Sequence, residues 1–291
     1  MSDEFLLDPR AVRRSFDRAS RTYAAAAVVQ GEIRTRLLER LDIVRLQPTA
    51  VLDLGAGTGQ ASRELKRRYP SAQVIALDSS LAMLGQSARQ QRFLRRFVPV
   101  CGDAHRLPLQ SRSFDLVLSN LLLQWCHDPD AVFAEAARVL RPKGLFTFTT
   151  VGPDTLQEAR ELWRGVDTFT HVHRFIDMHD FGDALLRAGF AEPVMDTERL
   201  TVTYPDLPAL LEEIRGSGAS NIAQGRPHGL TGRARGALVR SRSEELRRTG
   251  PLRISVEVIH GHAWSVGERK PRRAGDEVLV PFERLRTRGK D

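Results

Sequence analysis

The segment VLDLGAGTGQAS, residues 51–62, limits the possible folds more than any other stretch of the chain. An apolar run that reads as a buried strand reaches an acid, Asp53, and breaks into three glycines, Gly55, Gly57 and Gly59. Glycine lets the backbone turn tightly and approach a ligand with no Cβ in the way. The helical pattern that follows would present free N–H groups in its first turn. Strand, glycine turn and helix in that order open an α/β unit that binds a nucleotide-like ligand. A nicotinamide loop usually runs GxGxxG, with pyrophosphate against the helix dipole. Here the run is GAGTG, and Asp53 stands two residues before its first glycine. An anion gains little from a carboxylate so close, whereas a ligand with an amino group gains a partner.

Strand and helix patterns alternate from there. Residues 50–54, 73–78, 97–101, 114–120 and 144–150 read as strands. Residues 30–44, 60–70, 80–91 and 130–140 carry helical periodicity, the last capped by Asp128 and Pro129. This order predicts a parallel sheet covered by helices on both faces. Right-handed crossovers then put the strand C-termini on one edge, where ligands bind at the reversal of strand order. Past residue 150 the pattern loosens into helices near 154–166, 178–188, 206–215 and 233–248, with strands near 193–203 and 253–265.

With 291 residues the chain can bury a large core without staples. Cys101 and Cys126 are its only cysteines, and there is no CxxC, so the expectation is a reduced protein with no structural metal. The first thirty residues lack a signal-peptide pattern, and no apolar run reaches about 18 residues, which points to the cytoplasm and away from the membrane. Charge is unevenly spread. Of 44 basic and 36 acidic residues, 16 and 8 fall within 225–291, so the whole net charge of +8 lies in the last quarter. Arg233, Arg235, Arg240, Arg242, Arg247 and Arg248 share one predicted helix, and RKPRR (269–273) and RLRTRGK (284–290) follow. Such a stretch is either a solvated face or a docking surface for an acidic partner.

VLDLGAGTG resembles the first motif of the class I methyltransferases, which bind S-adenosylmethionine, and further matches stand at the next strand ends. The resemblance implies a Rossmann-like α/β fold with seven strands, mostly parallel, whose last antiparallel pair is 193–203 and 253–265. It assigns Asp53, Gly55, Gly57 and Gly59 to the cofactor turn and Asp78, which closes VIALD, to the ribose hydroxyls. Met83 would pack on the adenine, Asp103 would hold the adenine amino group beside the Ala104 N–H, and Asn120 would stand at the methionine end. Singly, Asp78 and Asp103 also read as helix caps or turn acids. Three acids at three successive strand ends are hard to read that way.

A narrower resemblance covers almost the whole chain. SFDRASRTYAAAAVVQ, SNLLLQWCHDP, RVLRPKGLFTFTTVGPDTLQEARELW, VDTFTHVHRF and GSGASNIAQGRPHGLTGR together are similar to the malonyl-acyl carrier protein O-methyltransferases of biotin synthesis. The departures are His173, where many relatives would carry Asn, and the arginine-rich tail past residue 266. The resemblance implies methylation of the free carboxylate of a malonyl thioester on acyl carrier protein, an acidic partner, without a metal. It also suggests a helical lid (1–45), a cofactor core (46–152), the rest of the sheet with substrate-binding insertions (153–266) and a basic tail (267–291). A malonyl carboxylate is already ionised at pH 7, so positioning groups are needed rather than a base. Arg174 is the candidate fork for that carboxylate, His171 and Gln124 are neighbouring donors, Arg226 is a second cation, and Tyr23 is a donor or lid closer. Arg240, Arg242 and Arg247 are expected to help the carrier dock. Three other functions fit parts of the pattern. A quinone- or polyketide-type methyltransferase shares the first domain. An RNA methyltransferase would explain the charge, yet no RNA module is recognisable. A non-catalytic assembly factor would be expected to lose the cofactor acids, which are all present.

Overall fold

A computed structural model describes residues 7–91, 95–227, 229 and 231–266. Helices α1 (Pro9–Ala19), α2 (Tyr23–Ala26) and α3 (Val28–Glu39) lead into strand β1 (Ala50–Leu54). Then come α4 (Gln60–Arg68), β2 (Gln73–Asp78), α5 (Leu81–Arg89), β3 (Val98–Cys101), β4 (Phe114–Asn120), α6 (Pro129–Val139) and β5 (Leu140–Val151). The remainder adds α7 (Gln157–Trp163), α8 (Met178–Arg187), β6 (Phe190–Tyr204), α9 (Leu207–Gly216), α10 (Arg233–Leu246) and β7 (Leu252–Ser265).

The strands form one sheet in the order β3-β2-β1-β4-β5-β7-β6. β1 to β5 are parallel, and β7 runs antiparallel between β5 and β6. This is the seven-stranded α/β fold expected from the sequence, antiparallel pair included. Chain order reverses between β1 and β4, which lie side by side, and the crevice outside their C-termini is where ligands of such sheets bind.

Both faces of the sheet are covered, which is why its central strands read as nearly unbroken apolar runs. On one face Leu52, Leu54, Val117, Phe146 and Phe148 pack with Phe133 of α6 and Phe181 of α8. On the other, Val51, Val74, Leu116 and Leu118 pack with Leu37 and Leu38 of α3 and Leu65 of α4. A separate cluster, Leu162, Leu207, Leu210, Val239 and Leu252, joins α7, α9 and α10 to the ends of the antiparallel pair.

α7 is shorter than the 154–166 of the sequence pattern. The Asp154 N–H donates to the Glu257 carboxylate and the Leu156 N–H to the Ser255 carbonyl, both at 2.8 Å, so that stretch is fastened to β7 before the helix begins. The N-terminal helices are tied to the stretch 216–223 that follows α9 in a similar way. Ser15 Oγ donates to the Gly218 carbonyl (3.0 Å), Thr22 Oγ1 to the Gly216 carbonyl (2.9 Å), and Leu7 bridges to Ala223. RKPRR and RLRTRGK lie outside the described residues. No described helix is long and apolar enough to cross a membrane.

Candidate functional site

The glycine turn closes over the end of β2. The Gly55 and Ala56 N–H groups both donate to the Leu77 carbonyl (2.8 and 2.9 Å), which turns the chain sharply away from β1. Two of the glycines are required for different reasons. Gly59 caps α4 at φ +74°, and a Cβ there would lie 2.3 Å from Ser87 Oγ and 2.9 Å from Phe97, so packing forbids one. Gly57 has φ +54°, yet a Cβ there would meet nothing within 4 Å, so this side of the turn faces open space.

The expected acids border that space. Asp78 accepts from the Gly57 N–H and the Ser80 N–H, each at 2.8 Å. Burial raises its carboxyl above the usual range. Asp53 is 1 % exposed and accepts from Ser62 Oγ; burial pushes its carboxyl up to about 6 against that bond. Neither acid forms a salt bridge among the described residues, so a cationic or hydroxylated ligand would relieve the cost of burying both. Buried Thr58 Oγ1 in the turn and Gln30 Oε1 on α3 also lack hydrogen-bond partners among the described residues. Buried polar atoms are normally satisfied, so a ligand rich in donors and acceptors fits this site.

Met83, in the first turn of α5, is buried, and the helix cap Ser80 accepts from the Met83 N–H and donates to Asp17 of α1. Asp103 accepts from the His105 N–H (2.9 Å) and from the His105 ring (2.7 Å), and Ala104 beside it is buried. Burial would raise the Asp103 carboxyl, but the bonds from His105 bring it below its ordinary value. Both acids therefore make turn bonds of the kind that the cap reading foresees. Asn120 at the end of β4 accepts from Thr149 Oγ1 (2.9 Å) and donates to the Gln30 carbonyl (3.3 Å), which ties the sheet to α3.

Two cavities adjoin this edge. The smaller, of 370 Å³, is mostly apolar and is lined by Tyr23, Gln30, Gln124, Trp125, Trp163 and His171 among others. The Tyr23 phenol is raised to about 12 by burial and by nearby Asp78, partly offset by Arg34. It therefore keeps its proton at neutral pH. His171 stacks flat on Trp163, with ring centroids 3.5 Å apart and planes 7° from parallel. Its Nε2 donates to Asp167 (2.8 Å), and Asp167 also accepts from Arg235 (3.1 Å). Burial works against the Asp167 carboxylate, but the bonds from His171, Phe169 N–H and Arg235 hold it below the usual range.

The larger cavity, of 790 Å³, shares Gln124, His173 and Phe175 with the first and adds Arg160 and Arg174. Arg174 is exposed at its rim, so it lines the outer cavity and not the one that holds Tyr23 and His171. Arg226 lines neither; its guanidinium donates to the carbonyls of Ile222 and Ala223. Of the arginines expected to dock a partner, Arg242 donates to the Leu162 and Arg164 carbonyls and Arg247 pairs with Glu244, while Arg240 is exposed.

The profile of the methyltransferase domain family matches residues 52–148. The chain is 46 % identical to malonyl-acyl-carrier protein O-methyltransferase of Gallionella capsiferriformans (strain ES-2), over 97 % of this chain and 99 % of that protein. The protein of the same name from Methylovorus sp. (strain MP688) is 49 % identical over 90 % of this chain and 91 % of its own. The chain belongs to the malonyl-acyl-carrier protein O-methyltransferase family. Among solved structures, the YcgJ protein of Bacillus subtilis superposes with TM-score 0.57 at 17 % identity, covering 79 % of this chain and 97 % of that one. Phosphoethanolamine N-methyltransferase 2 of Haemonchus contortus, in complex with S-adenosyl-L-methionine, gives TM-score 0.51 at 20 % identity over 80 % of this chain and 52 % of its own. These two share the fold.

In this malonyl-acyl-carrier protein O-methyltransferase family member, sequence reasoning missed four residues. Gln30 carried no motif signal, and its orphaned Oε1, on a residue whose backbone carbonyl accepts from Asn120, exposes it. Asp167 and Trp163 gain a role through contact with His171. Arg160 donates to the Pro153 and His173 carbonyls and lies over the Phe175 ring, 5.6 Å from its centre, which places a cation between the start of the 153–176 segment and its 173–175 stretch.

Proposed function

We propose that this chain methylates the free carboxylate of a malonyl thioester carried on acyl carrier protein, as in the priming of biotin synthesis, with S-adenosylmethionine as donor. The observation that carries this reading is the extent of the likeness. Identity of 46 % runs across 97 % of the chain, so it includes the segments past residue 150 that line the cavities and not only the methyltransferase domain.

S-adenosylmethionine supplies an electrophilic methyl group on a sulfonium. Asp78 would take its ribose hydroxyls, the open side of Gly57 its backbone approach, and Met83, Asp103 and Ala104 the adenine. Asp53, Asn120 and the orphaned Gln30 Oε1 would surround the amino-acid end, where buried carboxylate and amide oxygens suit an ammonium group.

The remaining task is to hold a carboxylate that is already ionised, since the acceptor needs no base. Tyr23, protonated at neutral pH, serves as a hydrogen-bond donor and not as a base. Gln124 accepts from Thr150 Oγ1 (3.2 Å) and donates to the Leu121 carbonyl (2.9 Å), so its amide is held beside β4 and β5. His171, clamped by Trp163 and Asp167, presents a fixed ring edge to the apolar cavity. Arg174 at the rim, with Arg160 behind it, draws the anionic substrate inward. A mostly apolar cavity excludes water, which favours the collapse of opposite charges into a neutral ester and thioether.

Mass spectrometry of malonyl-carrier protein incubated with the purified chain and S-adenosylmethionine tests the proposal. The expected result is the gain of one methyl on the malonyl form and none on an acetyl-carrier control. Cofactor binding without methyl gain would end the carrier reading and direct attention to a small-molecule acceptor.

A further inference from the structure

We propose that the groove lined by Arg34, Arg63, Arg67 and Arg95 is the surface on which the acidic carrier protein docks; this rests on the function proposed above. The concavity measures 460 Å³ and gathers side chains from α3, from α4 and from the residue pair Gln90 and Arg95 that flanks the approach to β3. Four guanidinium groups share it with one carboxylate, Glu64, and Glu64 is already taken by Arg34 at 3.2 Å.

The inner pair is held in place. Arg34 donates to Gln60 as well as to Glu64, and Arg63 donates to the Thr58 carbonyl (2.9 Å). The outer pair, Arg67 and Arg95, is exposed and has no salt-bridge partner among the described residues. Burial and the neighbouring Arg34 hold the Arg63 guanidinium below its usual range, as expected where positive charge lacks a counter-ion.

Many of the neighbouring basic residues, and most of those on α10, are already engaged. On α4 itself Lys66 caps the Pro70 and Ala72 carbonyls and Arg68 pairs with Asp42. On α10, Arg235 pairs with Asp167, Arg242 holds two carbonyls, and Arg247 and Arg248 pair with Glu244 and Glu245. The groove also lies near the cofactor turn. Arg34 is one helical turn, about 5.4 Å, beyond Gln30 on α3, and Gln60 directly follows Gly59. Arg63 and Arg67 stand four residues apart on one face of α4, the spacing that meets an acidic helix laid alongside.

The test uses the full chain at saturating S-adenosylmethionine, with malonyl-carrier protein and malonyl-pantetheine as alternative acceptors. The exposed pair is reversed together, Arg67→Glu with Arg95→Glu. The expected result is a rise of about tenfold or more in KM for the carrier and a weaker dependence of that KM on salt. The kcat and the KM for malonyl-pantetheine should stay within about twofold, and the Arg67→Lys with Arg95→Lys pair should restore carrier KM. A carrier KM unchanged by charge reversal overturns the docking surface, as does an equal rise for both acceptors. Failure of the unaltered chain to methylate either acceptor would instead sink the proposed function, so the two failures are distinguishable.

Discussion

The two halves of this molecule hold their candidate groups by different means. In residues 46–152 each group stands at or just past a strand end, and bonds close to that edge fix it: Gly57 and Ser80 N–H to Asp78, His105 N–H to Asp103. In residues 153–266 the clamps span long stretches of chain, as His173 does with the Ile222 N–H and Asp167 with Arg235. A strand end places a side chain through the register of the sheet. An insertion has to be clamped by its neighbours. Damage to the first half should therefore remove the cofactor, whereas damage to the second should disturb the acceptor and leave the cofactor in place.

The sharpest way to break that contrast is Asp78→Ala. Losing a carboxylate that receives charge-assisted bonds should weaken S-adenosylmethionine binding by about a hundredfold or more. Calorimetry reads this directly, and a change below about tenfold would put the cofactor elsewhere.

The glycine turn offers a paired comparison within the first half. Gly59→Val, at positive φ and with Ser87 and Phe97 in the way, should cost about 3 kcal/mol or more of stability in urea unfolding. Gly57→Ala has room for its Cβ and should cost only about 1–2 kcal/mol from the backbone, yet it should weaken cofactor binding. If the two variants lose equal stability, the open side of the turn is not a ligand face.

In the second half, Trp163→Ala removes the surface on which His171 lies. It should lower kcat/KM for the malonyl carrier by about tenfold while cofactor affinity stays near its original value. Parallel loss of both would mean that the halves are not separable.

A smaller effect concerns acid stability. Burial and the nearby Arg226 push the His173 imidazole down to about 4, with burial the larger cause and Asn221 acting against them, and its Nε2 accepts from the Ile222 N–H. Its ordinary value is 6.5. Between those values the unfolded chain binds the proton and the folded chain does not, so this stabilisation is full above about pH 6.5 and is lost as pH falls toward about 4. His173→Asn keeps an acceptor for Ile222 and should narrow the gap between Tm at neutral pH and Tm near pH 4.5. The gap should not vanish, because burial lowers His260 to about 4 as well. Asp53, raised to about 6, works in the opposite sense below that value. A gap as wide as in the unaltered chain would mean that His173 is protonated in the fold.

The smallest expected effect is that of Arg240→Glu. If the groove on α3 and α4 carries docking, carrier KM should move by less than about twofold; a larger rise would return docking to α10.

Much of the first half was legible because its signals are local. VLDLGAGTG carries strand, turn and helix start in consecutive residues, and short apolar runs between helical patterns located β1, β2 and β4 at their observed bounds. Gln30 was not legible, since an orphaned oxygen exists only once α3 lies across Asn120. Nor was the fate of the arginines. A run such as that on α10 looks like free charge in one dimension, but packing supplied Asp167 and two carbonyls as partners. The groove arose instead from Arg34, Arg63, Arg67 and Arg95, which no window of sequence contains together.

By itself, then, the amino-acid order determined the α/β alternation, the glycine turn and the acids that border it, because each depends on residues near one another in the chain and on the geometry of a strand end. The tertiary structure alone decided which insertion residues face a common cavity, that His173 is a buried acceptor and Arg174 a rim cation, and where positive charge remains uncompensated. Those properties depend on contacts between segments tens to hundreds of residues apart, and burial, hydrogen bonding and electrostatic balance are set only when such segments meet.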